Sequence, residues 1–223
     1  MVLIHTGNKE LDYLLDGGIP PGRIIEFCGP TCTGKTQIIH QIIVNSYFQE
    51  DKDGLNGIIL HIDTNGDFSS ERIIQLCKSK RLNHKAIFDK IILFRLLNEA
   101  RLLDLFDIIC DIIQNQQIKI FTIDSLTWPL IKMMYEKKVD KHSLIKLYNN
   151  IFDLIEQFPS LIVVYTSPYI PRNYIPKFMT HKNITRIELQ NIEGHHKRAE
   201  LLQPQTNFKH VDFYITKKGI SNQ

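Results

Sequence analysis

The sequence predicts an α/β protein: a mostly parallel twisted sheet with helices on both faces and a C-terminal antiparallel meander. Three observations carry this reading. Short runs rich in Ile, Val and Phe alternate with stretches of helical spacing, the pattern of parallel strands joined by crossover helices. A glycine-rich turn lies between the first such run and the first helix. After Thr166 the helical spacing stops and three short strand-like runs succeed one another.

The strands are expected at Arg23 to Cys28, Gly57 to Ile62, Lys90 to Phe94, Ile118 to Ile123 and Leu161 to Thr166, each apolar enough to be buried on both faces. Helices are expected between them, near Lys35 to Tyr47, Ser70 to Lys80, Asn98 to Gln114 and Lys141 to Gln157. The third carries apolar pairs from Leu102/Leu103 to Ile112/Ile113, a broad buried stripe at helical spacing. A Pro-rich stretch from Pro168 to Pro176 then leads into the meander, with runs at Ile184 to Leu189, Ala199 to Leu202 and Val211 to Ile215.

Composition bounds the answer. The 223 residues are 43% hydrophobic and 23% charged, enough apolar surface for a real core and a length that fits one domain over 1–223. Lys+Arg 27 against Asp+Glu 24 leaves a net charge of +3, too small a field to hold nucleic acid, so any such contact needs a local basic patch. No run approaches the roughly 20 apolar residues of a membrane span. The four cysteines, Cys28, Cys32, Cys77 and Cys110, form no Cys-x-x-Cys pair and fit a reducing compartment.

The strongest motif is Gly29-Pro30-Thr31-Cys32-Thr33-Gly34-Lys35-Thr36, a match to G-x-x-x-x-G-K-[ST] with a strand before it and a helix after it. Glycines let backbone N–H groups close around phosphate oxygens, and the helix N-terminus adds positive potential. Lys35 would reach the β- and γ-phosphates of ATP, and Thr36 would ligate Mg²⁺. Such a loop needs an acidic metal partner at the end of another buried strand. Asp124, after Ile120-Phe121-Thr122-Ile123, is the candidate, the alternative being an Asp that merely caps a helix.

The stretch TGxxxLDxLLxGGIPPGRIxExxGPxxxGKTQ, from Thr6 to Gln37, resembles the entry into the ATPase core of the RecA/RadA recombinases. Ile62-Asp63-Thr64-Asn65-Gly66-Asp67, Ile123-Asp124-Ser125 and Phe213 to Ile220 are similar to later motifs of that family in the same order. The resemblance implies a RecA-like P-loop NTPase core that binds ATP and Mg²⁺. Because the core begins almost at once, the chain resembles a recombinase paralogue, most like the eukaryotic paralogue labelled D, with archaeal RadB a close second. The partners implied are other paralogues, the recombinase and single-stranded DNA, within a hetero-oligomer and without a membrane. The compartment implied is the nucleus in a eukaryote and the cytoplasm in an archaeon.

Two departures qualify the catalytic expectation. The family's general-base glutamate, two residues past the strand-terminal Asp, is Asn65 here, and an amide cannot accept a proton, so hydrolysis should be slow. Asp67 is two residues farther on, a spacing that would displace its carboxylate by several ångströms. The family's Asn-Gln at the end of the fifth strand is replaced by Ser167-Pro168, which removes the glutamine that senses the γ-phosphate. Arg72 corresponds to the residue that stacks on adenine, with an exposed arginine beside Glu71 as the plain alternative.

Tyr169, Arg172, Tyr174, Lys177, Phe178 and Lys182 interleave bases and aromatics in a stretch free of acidic residues from Ser160 to Ile187. That mixture suits single-stranded DNA, and the resemblance implies the same; a Pro-rich loop packed on the core or a partner is the competing reading. An active DNA-dependent ATPase with strand exchange of its own, and a scaffold with a vestigial phosphate loop, remain the alternative functions.

Overall fold

Nine strands form one sheet in the order β3-β2-β4-β5-β1-β6-β7-β8-β9 in the computed structural model, which describes residues 3–47, 57–96, 102–136, 140–169, 181–204 and 209–222. The first five strands are β1 (Ile24–Cys28), β2 (Ile58–Asp63), β3 (Ile91–Arg95), β4 (Ile118–Asp124) and β5 (Ile162–Ser167), all parallel and within a residue or two of the expected bounds. The helices are α1 (Lys9–Leu14), α2 (Lys35–Tyr47), α3 (Ser70–Ser79), α4 (His84–Phe88), α5 (Leu105–Asn115), α6 (Trp128–Tyr135) and α7 (Lys141–Gln157).

Alternation along each strand divides the core into two layers. Ile25, Phe27, Ile120, Ile162 and Val164 meet Leu11 and Leu14 of α1, Ile38 to Val44 of α2, Ile73 and Leu76 of α3 and Ile87 of α4 on one face. Ile24, Phe121, Ile123, Val163 and Tyr165 meet Phe106 and Ile109 of α5, Met133 of α6 and Leu147, Tyr148 and Ile151 of α7 on the other. Both faces of β1, β2, β4 and β5 are thus covered, which is why their runs are apolar. β3, at the edge of the sheet, is only half-buried with Leu93 exposed, contrary to the expectation that it is buried on both faces.

Caps set several helix starts. The Ser69 hydroxyl accepts the Arg72 N–H at 3.1 Å, and Asp140 Oδ1 accepts the N–H groups of His142 and Ser143 at 3.0 and 3.3 Å. In α2 every residue from Ile38 to Ser46 is buried, polar ones included. Gln41 explains this: its Nε2 donates to the Thr6 carbonyl at 2.9 Å and its Oε1 accepts the Ile220 N–H at 2.6 Å, tying the first segment and the last strand to the same helix.

The structure refines the meander. β6 (Ile184–Glu193) lies parallel to β1, and only β7 (His196–Gln203), β8 (His210–Thr216) and the short β9 (Gly219–Ser221) are antiparallel. α5 starts at Leu105, after a turn over 102–104. Among the described residues no helix is long and apolar enough to cross a membrane.

Candidate functional site

The glycine-rich turn runs from the end of β1 into α2 and is shaped by its neighbours. Gly29 has φ +147°, and a Cβ there would lie 2.3 Å from the Leu189 carbonyl oxygen of β6, so the strand beside the loop leaves no room for a side chain. Gly34 has φ +98° and faces Ile215 of β8. Cys32 takes φ +62°, an unusual value for a residue with a Cβ, and is exposed. The Lys35 ammonium arches back over the loop and donates to the carbonyls of Gly29 and Pro30 at 2.8 and 2.6 Å. Burial lowers its pKa, while Asp124 opposes that shift.

Strand order brings the acidic partner alongside. β5 lies between β1 and β4, so the end of β4 stands one strand from the loop, with Thr166 between. Asp124 is 4% exposed, and its Oδ2 accepts the Thr36 hydroxyl at 2.6 Å while its Oδ1 accepts the Thr166 hydroxyl. Burial raises the Asp124 pKa, the two hydroxyls lower it, and the nearby carboxylates of Asp67 and Asp63 raise it again. A buried carboxylate converging with a hydroxyl is the hard-oxygen pair that suits Mg²⁺, which keeps water and phosphate oxygens for its remaining positions.

A cavity of about 750 Å³ opens above these groups. Gly29 to Cys32, Gly34, Lys35 and Thr36 line its floor, Asp124, Ser125 and Thr166 one side, and Asn65 and Asp67 another. Trp128, Pro168 and Tyr169 form the outer wall, with Trp128 47% and Tyr169 44% exposed. Of the phosphate-loop residues, Thr33 turns inward and its hydroxyl closes the turn on the Pro30 carbonyl at 2.9 Å.

The turn after β2 is organised by Asp63, which in the sequence served only as the strand-terminal landmark for Asn65. It is fully buried, its Oδ1 accepts the N–H groups of Asn65, Gly66 and Asp67 at 3.3, 2.7 and 3.0 Å, and its Oδ2 accepts Phe68 N–H and Arg95 Nε at 3.2 and 3.3 Å. The Thr64 hydroxyl fastens the turn to β4, donating to the Ser125 carbonyl at 2.9 Å and accepting its N–H at 2.8 Å. Asp63 lies in register with Asp124 on the adjacent strand, a pairing that only the strand order reveals. Thr122, odd in an apolar run, pairs at 2.7 Å with the buried His61 Nδ1.

Arg72 lies off the main cavity, in a neighbouring hollow of about 680 Å³ that it shares with Gln37, His195, Tyr214 and Lys217. Its guanidinium donates to Gln37 Oε1 at 2.6 Å, to the Thr216 and Lys217 carbonyls at 2.8 and 3.1 Å, and to Gln75. These bonds pin α3 to the end of β8 beside the phosphate loop.

At the end of β5, Ser167 turns away from the cavity and its hydroxyl donates to Glu26 Oε1 at 2.5 Å, while Pro168 takes the place on the wall. Neither side chain carries an amide. Of the residues assigned to DNA, Tyr169 stands on the cavity wall and Lys182 is exposed beside Arg23, whose Nη1 donates to its carbonyl at 2.9 Å. Arg172, Tyr174, Lys177 and Phe178 lie outside the described residues.

The Rad51 family model matches residues 1–167. The chain is 38% identical over 124 residues to the DNA repair and recombination protein RadA of Aeropyrum pernix, and 37% identical over 125 residues to the protein of the same description from Metallosphaera sedula. Each match covers 56% of this chain and 39% of the relative, so the matched region spans about two fifths of these relatives' length. A phosphate loop after β1, a buried aspartate closing β4 and a family match across both place the chain in the Rad51 family of the RecA/RadA recombinase superfamily.

Proposed function

We propose that the chain is an ATP-binding recombinase paralogue that acts in homologous recombination and DNA repair, with Mg²⁺ held at Thr36 and Asp124 and with slow hydrolysis. One observation carries the reading: Lys35, Thr36 and Asp124 converge on a cavity of about 750 Å³ whose floor is the glycine-rich turn. In a bound state Lys35 would exchange its two carbonyl partners for phosphate oxygens, and Thr36 and Asp124 would present oxygens to the metal. Asn65 on the wall supports slow turnover, because it offers water a hydrogen bond and no base. Pro168 supports a weakened or rerouted link from nucleotide to loop.

The reading takes residues 1–223 as one ATPase core working with other paralogues and the recombinase as a hetero-oligomer on single-stranded DNA. It places the work in the nucleus of a eukaryote or the cytoplasm of an archaeon. Arg72, with its neighbours Tyr214 and Gln37, serves the base end of the nucleotide, and Tyr169, Arg172, Tyr174, Lys177, Phe178 and Lys182 serve the strand.

Thermal unfolding with and without ATP and Mg²⁺ tests nucleotide binding. At a ligand concentration of 100 times Kd the native state gains about 2.7 kcal/mol, a Tm rise of roughly 5 to 10 °C for a domain of this size. No rise would replace the reading with a scaffold whose phosphate loop is vestigial. For the strand, Ala at Arg172, Lys177 and Lys182 together should weaken binding of a labelled oligonucleotide and flatten its salt dependence. Unchanged affinity and slope would move DNA contact elsewhere.

A further inference from the structure

The departure at Asn65 leaves open which group, if any, takes the proton of an attacking water. Sequence spacing alone argues against Asp67, because two extended residues would carry its carboxylate away from the site. The turn is not extended. Three successive N–H groups, of Asn65, Gly66 and Asp67, close on one oxygen of the buried Asp63, and Gly66 sits at φ +79°. This curl folds the chain back, so that Asn65 and Asp67 stand on the wall of the same cavity, facing the floor of Lys35 and Thr36 and the side of Asp124. Both are exposed to it. Asp67 is close enough for its charge to be felt at Asp124. The turn itself is held by Arg95 on Asp63 and by Thr64 on the Ser125 backbone, which fixes the backbone that carries residue 67.

We infer that Asp67 is the proton acceptor for whatever ATP hydrolysis this chain performs, with Asn65 orienting the water. The inference rests on the ATP-binding reading. The water oxygen attacks the γ-phosphorus, and Asp67 takes a proton from it as the new O–P bond forms. The bond to the β,γ-bridging oxygen breaks, its electron pair leaves on ADP, and Lys35 meets the charge that develops there. Asp67 then releases the proton to solvent, so that ATP and water give ADP, phosphate and a proton. Displacement of the base by two residues along the turn costs alignment, and that accounts for slow rather than absent turnover.

The test is single-turnover hydrolysis at saturating ATP and Mg²⁺, with ATP affinity measured on the same proteins. Asp67→Asn should lower the rate constant by roughly 10²-fold or more while leaving Kd within about threefold. Asp67→Glu should restore part of the rate, and Asn65→Ala should cost less than Asp67→Asn. An unchanged rate in Asp67→Asn overturns the inference, as does a larger loss in Asn65→Ala, or a wild-type chain that binds ATP and turns over no faster than Asp67→Asn. A wild-type chain that fails to bind ATP removes the functional reading as well, so the two failures are told apart by the affinity measurement.

Discussion

Replacing Asp63 by Asn should be far more damaging than its isosteric shape suggests. The carboxylate accepts five hydrogen bonds, four from the backbone of residues 65 to 68 and one from Arg95, with no exposure to solvent. An amide keeps one acceptor oxygen. Placed to preserve the three bonds at Oδ1, it sets an NH₂ group against the Phe68 N–H and the Arg95 guanidinium; flipped, it loses the three instead. Hydrogen bonds to a buried charge contribute about 1.5 to 3 kcal/mol each, and neutral ones about 1. Two bonds lost, discounted because the Arg95 side chain is 49% exposed, and three weakened by loss of charge amount to roughly 4 kcal/mol. Urea unfolding of wild type and Asp63→Asn at neutral pH measures the difference, with the slope compared to check that both unfold alike. A loss below about 1 kcal/mol would refute the claim that Asp63 organises the turn.

Three further outcomes follow from the geometry. His40 and His61 are held down to a pKa of about 4 and about 3, chiefly by burial, so the unfolded chain binds more protons below the ordinary His value near 6.5. Stability is therefore full above that value and falls as pH drops toward 4; at pH 5 roughly 4 kcal/mol should be gone, and a flat urea midpoint between pH 7.5 and pH 5 would contradict this. Glu26→Gln leaves the Arg186 guanidinium, buried at 2% exposure and held by Glu26 Oε2 at 2.5 Å, without its counter-charge, and should cost about 3 to 5 kcal/mol in the same assay, with Glu26→Leu/Arg186→Met recovering much of it. Asn65→Glu, on an exposed wall position, should leave stability within about 0.5 kcal/mol and raise the rate of ATP hydrolysis toward the lower end of the 10² to 10⁴ that a general base supplies, because Asp67 and Asp124 oppose a third carboxylate.

β1, β2, β4 and β5 were legible because each is buried on both faces and so writes an apolar run, and β3 because its run is apolar although it lies half-buried at the sheet edge. α2 and α7 were legible because a glycine-rich turn and a capping Asp mark their starts. α1 and α4 were not expected; at six and five residues they carry too few turns for periodicity to register. α6 was hidden by Pro129, which lies in its first turn, where the missing N–H has no partner to lose. The parallel placement of β6 against β1 was beyond reach, since a run of alternating residues says nothing about which neighbour it joins. In the site, Lys35, Thr36 and Asp124 were visible from spacing. Asp63, Thr166 and Ser167 were not, because their roles are set by which strand ends lie side by side. The curl that brings Asp67 to the wall is likewise a property of backbone bonds to one buried oxygen.

If this cavity binds ATP through Lys35 with Mg²⁺ at Thr36 and Asp124, affinity must depend on both the lysine and the metal. Equilibrium titration of wild type and Lys35→Ala with ATP, each with and without Mg²⁺, tests it most directly. Wild type should bind, its affinity should fall when Mg²⁺ is removed, and Lys35→Ala should bind at least tenfold more weakly. Equal affinity in the two proteins, or no binding by wild type at millimolar ATP, would contradict it.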